Sequence, residues 1–117
     1  MPILPLTEEN FEQEALQAEG PVLVDLFAAW CGPCRALAPV LETLAEARPE
    51  LRIGKVDVDA QPELAARFDV LTVPTLLLFR SGRLLRRTTG AKTPAELEEF
   101  LRSGEDPVSA KSPLIRS

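Results

Sequence analysis

Two uninterrupted apolar runs of strand length stand out in the chain. They span residues 22–28 (VLVDLFA) and 75–79 (TLLLF), and such runs bounded by turn signals are typical of strands that are covered on both faces. Residues 51–58 (LRIGKVDV) alternate apolar and polar side chains, which predicts a third strand. The turn at 80–83 followed by residues 84–89 predicts a β-hairpin, and Ile3-Leu4 would add an edge strand.

Helical spacing of apolar residues fills the gaps between these strands. It predicts helices over residues 7–16, 34–47 and 61–68, and a last helix between Thr93 and Gly104. Thr7 and Thr93 are the expected N-caps, Glu96 completes a capping box with Thr93, and Pro39 is expected to kink the second helix. The order of elements predicts an α/β fold, with a central mixed β-sheet of four to five strands flanked by helices on both faces.

The composition supports one folded domain. The chain has 117 residues, of which 45% are apolar and 26% charged, as is usual for a globular protein. We expect residues 1–103 to form this domain and residues 104–117, which lack a periodic pattern, to be a C-terminal tail.

Charge and residue absences narrow the function. A net charge of −5 argues against nucleic acid or an anionic membrane as partner. With no apolar run of about 18 residues and no signal-peptide pattern, we expect a cytoplasmic protein. The chain has no His, which excludes a Ser-His-Asp triad, and two Cys cannot complete a four-ligand zinc site, so no metal site is expected.

Both cysteines lie in one segment, Trp30-Cys31-Gly32-Pro33-Cys34, where a buried strand passes into a helix. Unpaired N–H groups and the dipole at a helix N-terminus stabilise a thiolate, and Cys31 is in the position to benefit. Cys34 is expected one turn on, beneath Cys31 and less exposed. Cysteines at this spacing can close a small disulfide ring, with Gly32 allowing close approach of another backbone and Pro33 stiffening the ring.

Two other interpretations of the cysteine pair are open. Inert core cysteines are common, but burial does not explain their pairing across Gly-Pro at a strand–helix junction. Half of a zinc site would need further Cys or His ligands, which the chain lacks. We therefore predict thiol–disulfide redox chemistry.

Asp25 interrupts the first apolar run. Burial raises the pKa of a carboxyl group, which suits proton transfer near neutral pH. The alternative is a structural aspartate, paired with Lys55 on the neighbouring strand.

The segment from Asp25 to Arg35 (DLFAAWCGPCR) closely resembles the active-site stretch of the thioredoxin family. The likeness continues through Ala38-Pro39, residues 55–59 (KVDVD), Val73-Pro74-Thr75 and Gly90-Ala91, and covers about residues 7 to 102. Ala29 and Arg35 depart from the residues that are usual in the family at those places, and both lie beside the site.

The resemblance implies a thioredoxin fold and a role for each matching residue. Cys31 would be the nucleophile, Cys34 the resolving thiol and Asp25 the group that relays the proton of Cys34. Gly32 and Pro33 would tune the redox properties of a Cys31–Cys34 disulfide. A client protein would be bound by Trp30, Val73, Pro74 (with a cis peptide bond), Gly90 and Ala91.

The implied function is a protein-disulfide reductase that needs no bound cofactor beyond this disulfide. Its partners would be disulfide-containing client proteins and an NADPH-dependent flavoprotein reductase, and it would act as a monomer. Three alternatives stay open: a thiol oxidant, a redox protein dedicated to a single client, and a non-redox binding or chaperone subunit.

Overall fold

The computed structural model describes residues 3–102, and the predicted tail lies outside them. Five strands form one sheet in the order β1-β3-β2-β4-β5. The strands are β1 (Leu4–Pro5), β2 (Pro21–Phe27), β3 (Arg52–Asp57), β4 (Thr75–Arg80) and β5 (Arg83–Thr89). Strands β1, β3 and β2 are parallel, while β4 is antiparallel to β2 and β5 is antiparallel to β4. The predicted mixed sheet, including its hairpin, is confirmed, with the edge strand one residue later than expected.

Three of the four predicted helices form close to the expected places: α1 (Gly32–Ala47), α2 (Pro62–Arg67) and α3 (Pro94–Arg102). Pro39 lies inside α1. The capping box of α3 is confirmed, because Thr93 Oγ1 accepts from the Glu96 N–H at 3.1 Å and Glu96 Oε1 accepts from the Thr93 N–H at 2.9 Å.

The predicted helix over residues 7–16 is wrong in form. A turn precedes a single π-helical turn, Glu12–Leu16, in which the Gln17 N–H donates to the Glu12 carbonyl. Thr7 does cap this segment, since its hydroxyl oxygen accepts from the N–H groups of Glu9 and Asn10 at 3.2 Å each. Local side-chain hydrogen bonds of this kind compete with a regular helix.

Alternating residues of β2 divide the core between the two faces of the sheet. Val22, Val24 and Leu26 face the π-helical turn and α2, where they pack with Phe11 and Leu64. Leu23 faces α1 and α3 on the other side, in a cluster that also contains Leu37, Leu41, Leu44, Ile53, Leu76 and Leu97. The helices therefore cover both faces, as predicted.

The sheet register brings three chain segments to one edge. Phe27 at the end of β2 pairs with Asp57 at the end of β3, and Leu26 pairs with Thr75 at the start of β4. The loop after β2, the loop after β3 and the loop before β4 consequently meet at this edge, where α1 also begins.

Candidate active site

The two cysteines are joined in a disulfide across the first turn of α1, with their Cα atoms 5.2 Å apart. Cys31 is the N-cap of the helix, and its sulfur accepts from the backbone N–H of Cys34 at 3.1 Å. Pro33 occupies the first turn, where a missing N–H leaves no helical hydrogen bond unmade. An N–H group aimed at Cys31 Sγ is placed to stabilise negative charge on that atom.

The expected difference in exposure between the cysteines is wrong. Each is 4% exposed, so Cys34 is no more buried than Cys31 in the disulfide form. The cause is packing from both sides, since Ala28 belongs to the same buried cluster and the half-buried side chains of Phe27, Val58 and Val73 lie against it. Gly32 and Pro33 between the cysteines are exposed, so a partner reaches the disulfide over this short bridge.

The loop before β4 lies against the disulfide. Cys31 Sγ and the carbonyl oxygen of Val73 are 3.7 Å apart, and the peptide bond between Val73 and Pro74 is cis. Pro74 is buried and Val73 is half-buried. The Gly90 N–H donates to the Pro74 carbonyl at 2.9 Å, which brings Gly90 and the exposed Ala91 beside this loop. Gly90 has a φ of 90°, a conformation that glycine adopts readily.

Asp25 lies in the middle of β2 and is fully buried. Because successive side chains of a strand alternate, Asp25 shares a face with Leu23 and Phe27. Leu23 packs in the cluster that includes α1, and Phe27 packs against the buried cysteine cluster. The carboxyl group is thus on the face of the sheet that α1 covers, between two residues that contact the helix side.

Burial raises the pKa of Asp25 from 3.8 to about 6, and attraction to Lys55 offsets part of this rise. Lys55 is the register partner of Asp25 on β3. Neither carboxylate oxygen accepts a hydrogen bond within residues 3–102, and the Lys55 Nζ lies 4.5 Å from the centre of the Phe27 ring. The alternative of a structural aspartate in an ion pair with Lys55 is therefore not what the structure has, although the amine is near enough to lower the pKa.

Trp30 stands at the rim of the site and is 69% exposed. Its indole N–H donates to Asp59 Oδ2 at 2.9 Å, which fixes the ring toward the loop after β3. Asp59 has no role among the sequence-based predictions. Its position directly after a parallel neighbour of β2 could have placed it near Trp30, because parallel strands end at the same edge.

The two departures from the family pattern contact each other. Arg35 Nη1 donates to the Ala29 carbonyl at 2.9 Å, so the guanidinium lies over the loop that precedes Cys31. A second nitrogen of this group, Nη2, is 4.0 Å from where a side chain on Gly32 would begin. A fixed cation beside the disulfide ring is the local consequence of these two residues.

Residues 3–102 add neither a metal cluster nor a membrane-spanning helix to this picture. Within that range, no group of three or more metal-ligating side chains converges on one place. None of the helices described there has the length and apolar character that crossing a membrane requires.

Comparison with known proteins gives one consistent family. The sequence profile of the Thioredoxin family matches residues 2–103. The chain is 46% identical over 97 residues to a thioredoxin of Alicyclobacillus acidocaldarius, covering 82% of this chain and 91% of that protein. It is 41% identical over 102 residues to a thioredoxin of Streptomyces clavuligerus, covering 87% of this chain and 92% of that protein.

A third relative combines two activities in one chain. The bifunctional thioredoxin reductase/thioredoxin of Mycobacterium leprae is 46% identical to this chain over 93 residues. The match covers 79% of this chain and 20% of that longer protein.

Proposed function

The chain belongs to the thioredoxin family and is a protein-disulfide reductase, and from this premise we propose how its residues share the reaction. The observation that carries the proposal is the Cys31–Cys34 pair at the start of α1, with the Cys34 N–H donating to Cys31 Sγ at 3.1 Å. An N-cap sulfur with this donor is the better nucleophile of the two. We assign nucleophilic attack to Cys31 and resolution to Cys34.

The exchange proceeds in two steps that balance in atoms and electrons. The Cys31 thiolate attacks one sulfur of a client disulfide, which forms a mixed disulfide and releases the other client sulfur as a thiolate. The Cys34 thiolate then attacks Cys31 Sγ, which breaks the mixed disulfide and releases the second client thiolate. Two electrons pass to the client, and the Cys31–Cys34 disulfide remains.

Asp25 is assigned the proton of Cys34. A carboxyl group with a pKa of about 6 is mostly ionised at neutral pH, yet it holds a proton far more readily than an exposed aspartate does. It is buried on the face of the sheet that α1 covers, which supports a proton transfer at the first turn of that helix. Lys55 on β3 keeps the pKa of Asp25 from rising further.

The client-binding surface is assigned to Trp30, Val73, Pro74, Gly90 and Ala91. The exposed indole of Trp30 and the exposed Ala91 can contact a protein surface, and Val73 offers backbone groups beside Cys31 to an extended client segment. Gly32 and Pro33 are exposed between the cysteines and carry no bulky side chain over the disulfide. A client could therefore lay a strand-like segment across the disulfide.

The electron donor proposed for this protein is a separate flavoprotein reductase that draws on NADPH. The relative from Mycobacterium leprae, whose name joins both activities, supports that pairing. Such a reductase and its thioredoxin transport electrons to client disulfides and maintain the redox balance of the cytoplasm, the compartment in which thiols are kept reduced. We propose this compartment for the present protein.

Trapping separates the assigned roles of the two cysteines. Cys34→Ser leaves the attacking thiol in place and removes the resolving one, so a client should remain attached to Cys31 as a mixed disulfide. Cys31→Ser is the matched control and should trap nothing. Mass spectrometry of the protein after incubation with insulin measures both. Insulin attached to Cys34 in the Cys31→Ser variant, and absent from Cys34→Ser, would reverse the assignment.

A further inference from the structure

Two adjacent arginines of β5 reach the ends of helices on opposite faces of the sheet. Arg86 is buried and donates from Nε to the Phe100 carbonyl at 3.0 Å, in the last turns of α3. Arg87 points to the other face, as alternation along a strand requires. A cation near the carbonyl end of a helix is favourable, since those carbonyls lack helical donors and carry partial negative charge.

The contacts of Arg87 lead toward the active site. Its Nη1 donates to the carbonyl of Phe68 at 2.8 Å and its Nη2 to the carbonyl of Asp69 at 3.3 Å. Phe68 is the C-cap of α2, and Asp69 has a φ of 55°, so the chain turns sharply there. One guanidinium therefore holds the two carbonyls at which the chain leaves α2 and begins the loop 69–74.

The loop 69–74 presents two features to a partner protein. At its far end, the Val73 carbonyl lies 3.7 Å from Cys31 Sγ. In its middle, Leu71 is 93% exposed, the highest value among the large apolar side chains of residues 3–102. A protein that reaches Cys31 beside Val73 would cover Leu71, and burying a leucine side chain is favourable. A small disulfide would reach the sulfur without touching Leu71.

The far end of the loop is fixed independently of Arg87. The Thr75 hydroxyl donates to the Thr72 carbonyl at 2.7 Å, and the Gly90 N–H donates to the Pro74 carbonyl at 2.9 Å. Losing the Arg87 contacts would accordingly loosen the first half of the loop, which carries Leu71, and leave the disulfide environment in place.

We propose that Arg87 is a positioning residue for the reduction of protein disulfides, which holds the start of the loop 69–74 so that Leu71 is presented to the client. The proposal rests on the proposed function only in that clients meet Cys31 beside Val73. It places Arg87 outside the reacting groups, because its guanidinium contacts backbone carbonyls of the loop.

The test compares Arg87→Ala with Arg83→Ala. Both arginines are exposed on β5, and within residues 3–102 the side chain of Arg83 forms no hydrogen bond to the loop. The second-order rate constant of the reduced protein is measured with insulin and with a small aromatic disulfide, 5,5′-dithiobis(2-nitrobenzoic acid). Arg87→Ala should lower the insulin value about three- to tenfold, the effect of one net hydrogen bond, and leave the small-disulfide value within about twofold. Arg83→Ala should leave both unchanged.

Two further variants refine the test. Arg87→Lys keeps a cationic donor, so its insulin rate should lie between those of the wild type and Arg87→Ala. Leu71→Ser should lower the insulin rate selectively, as Arg87→Ala does. In Arg87→Ala, hydrogen exchange should accelerate at the amides of Asp69 and Val70, which bond to the carbonyls of Ala66 and Ala65 at 3.1 and 2.9 Å.

Several results would overturn the proposal. Equal loss with both disulfides, equal loss in Arg83→Ala and Arg87→Ala, or an unchanged insulin rate in either Arg87→Ala or Leu71→Ser would do so. Unaltered exchange at Asp69 and Val70 would also overturn it. If the wild type itself does not reduce insulin, the proposed function fails, while the exchange measurement still decides whether Arg87 holds the loop.

Discussion

Replacement of Asp25 by asparagine should stabilise the protein, and the gain should depend on pH. The pKa of Asp25 rises from 3.8 to about 6 on folding because its carboxyl group is buried and accepts no hydrogen bond within residues 3–102. A rise of about two pKa units corresponds to about 3 kcal/mol of unfolding free energy, at about 1.4 kcal/mol per unit. The ionised carboxylate therefore costs the folded state roughly that amount.

The sign of the pH dependence follows from the direction of the shift. Since the pKa is higher in the folded state, folding favours the protonated group. The stability that Asp25 contributes is fullest below about pH 4, and it is lost as pH rises through about 6. An asparagine side chain stays neutral throughout, so the stability of the Asp25→Asn variant lacks this fall. The difference between the two proteins should grow from its smallest value near pH 4 to about 3 kcal/mol more above pH 7.

Urea unfolding of the disulfide form, followed by circular dichroism from about pH 4 to about pH 8, measures the difference by linear extrapolation. Asp69→Asn is the matched control, because it makes the same chemical change at an exposed position whose positive φ of 55° asparagine tolerates. A buried amide without partners adds a constant penalty, so the slope with pH is the quantity that decides. A stability difference between wild type and Asp25→Asn that stays flat over this range would refute the reasoning.

Two further predictions use the same measurement. Lys55→Met removes the cation that lowers the pKa of Asp25, so the pH at which Asp25→Asn begins to gain should move upward in a Lys55→Met background. An unmoved pH profile would mean that Lys55 does not act on Asp25. Thr93→Ala removes the hydroxyl that accepts the Glu96 N–H at 3.1 Å, so unfolding should become easier by about 1 kcal/mol, while Thr93→Ser should retain most of the stability. Equal losses in the two Thr93 variants would assign the effect to something other than the cap.

Much of the active site could be predicted because its signals are local in the sequence. Cys31 and Cys34 are three residues apart at a strand–helix junction, and the structure places Cys31 at the N-cap of α1. Asp25 stands out as a carboxylate within an apolar run, and the structure buries it without a hydrogen-bond partner among residues 3–102. In both cases the residue type and its immediate neighbours carry the information.

Where the predictions were wrong, competing local contacts decided the outcome. The hydroxyl of Thr7 bonds to two N–H groups of the following turn, and a π-helical turn replaces the expected helix. The equal burial of Cys31 and Cys34 depends on Val58 and Val73, which come from different loops and pack on the disulfide from outside α1. Apolar periodicity does not report either effect.

The loops of the active site are fixed by contacts between residues far apart in the chain. Trp30 bonds to Asp59, Gly90 bonds to Pro74, and Arg87 bonds to the carbonyl of Phe68. Each contact exists only because the register of the sheet places two loop ends side by side. A sequence can show that a dithiol is present, but the precision with which partners meet it depends on this register. Substitutions at these anchoring residues should therefore alter reaction with proteins more than reaction with small disulfides.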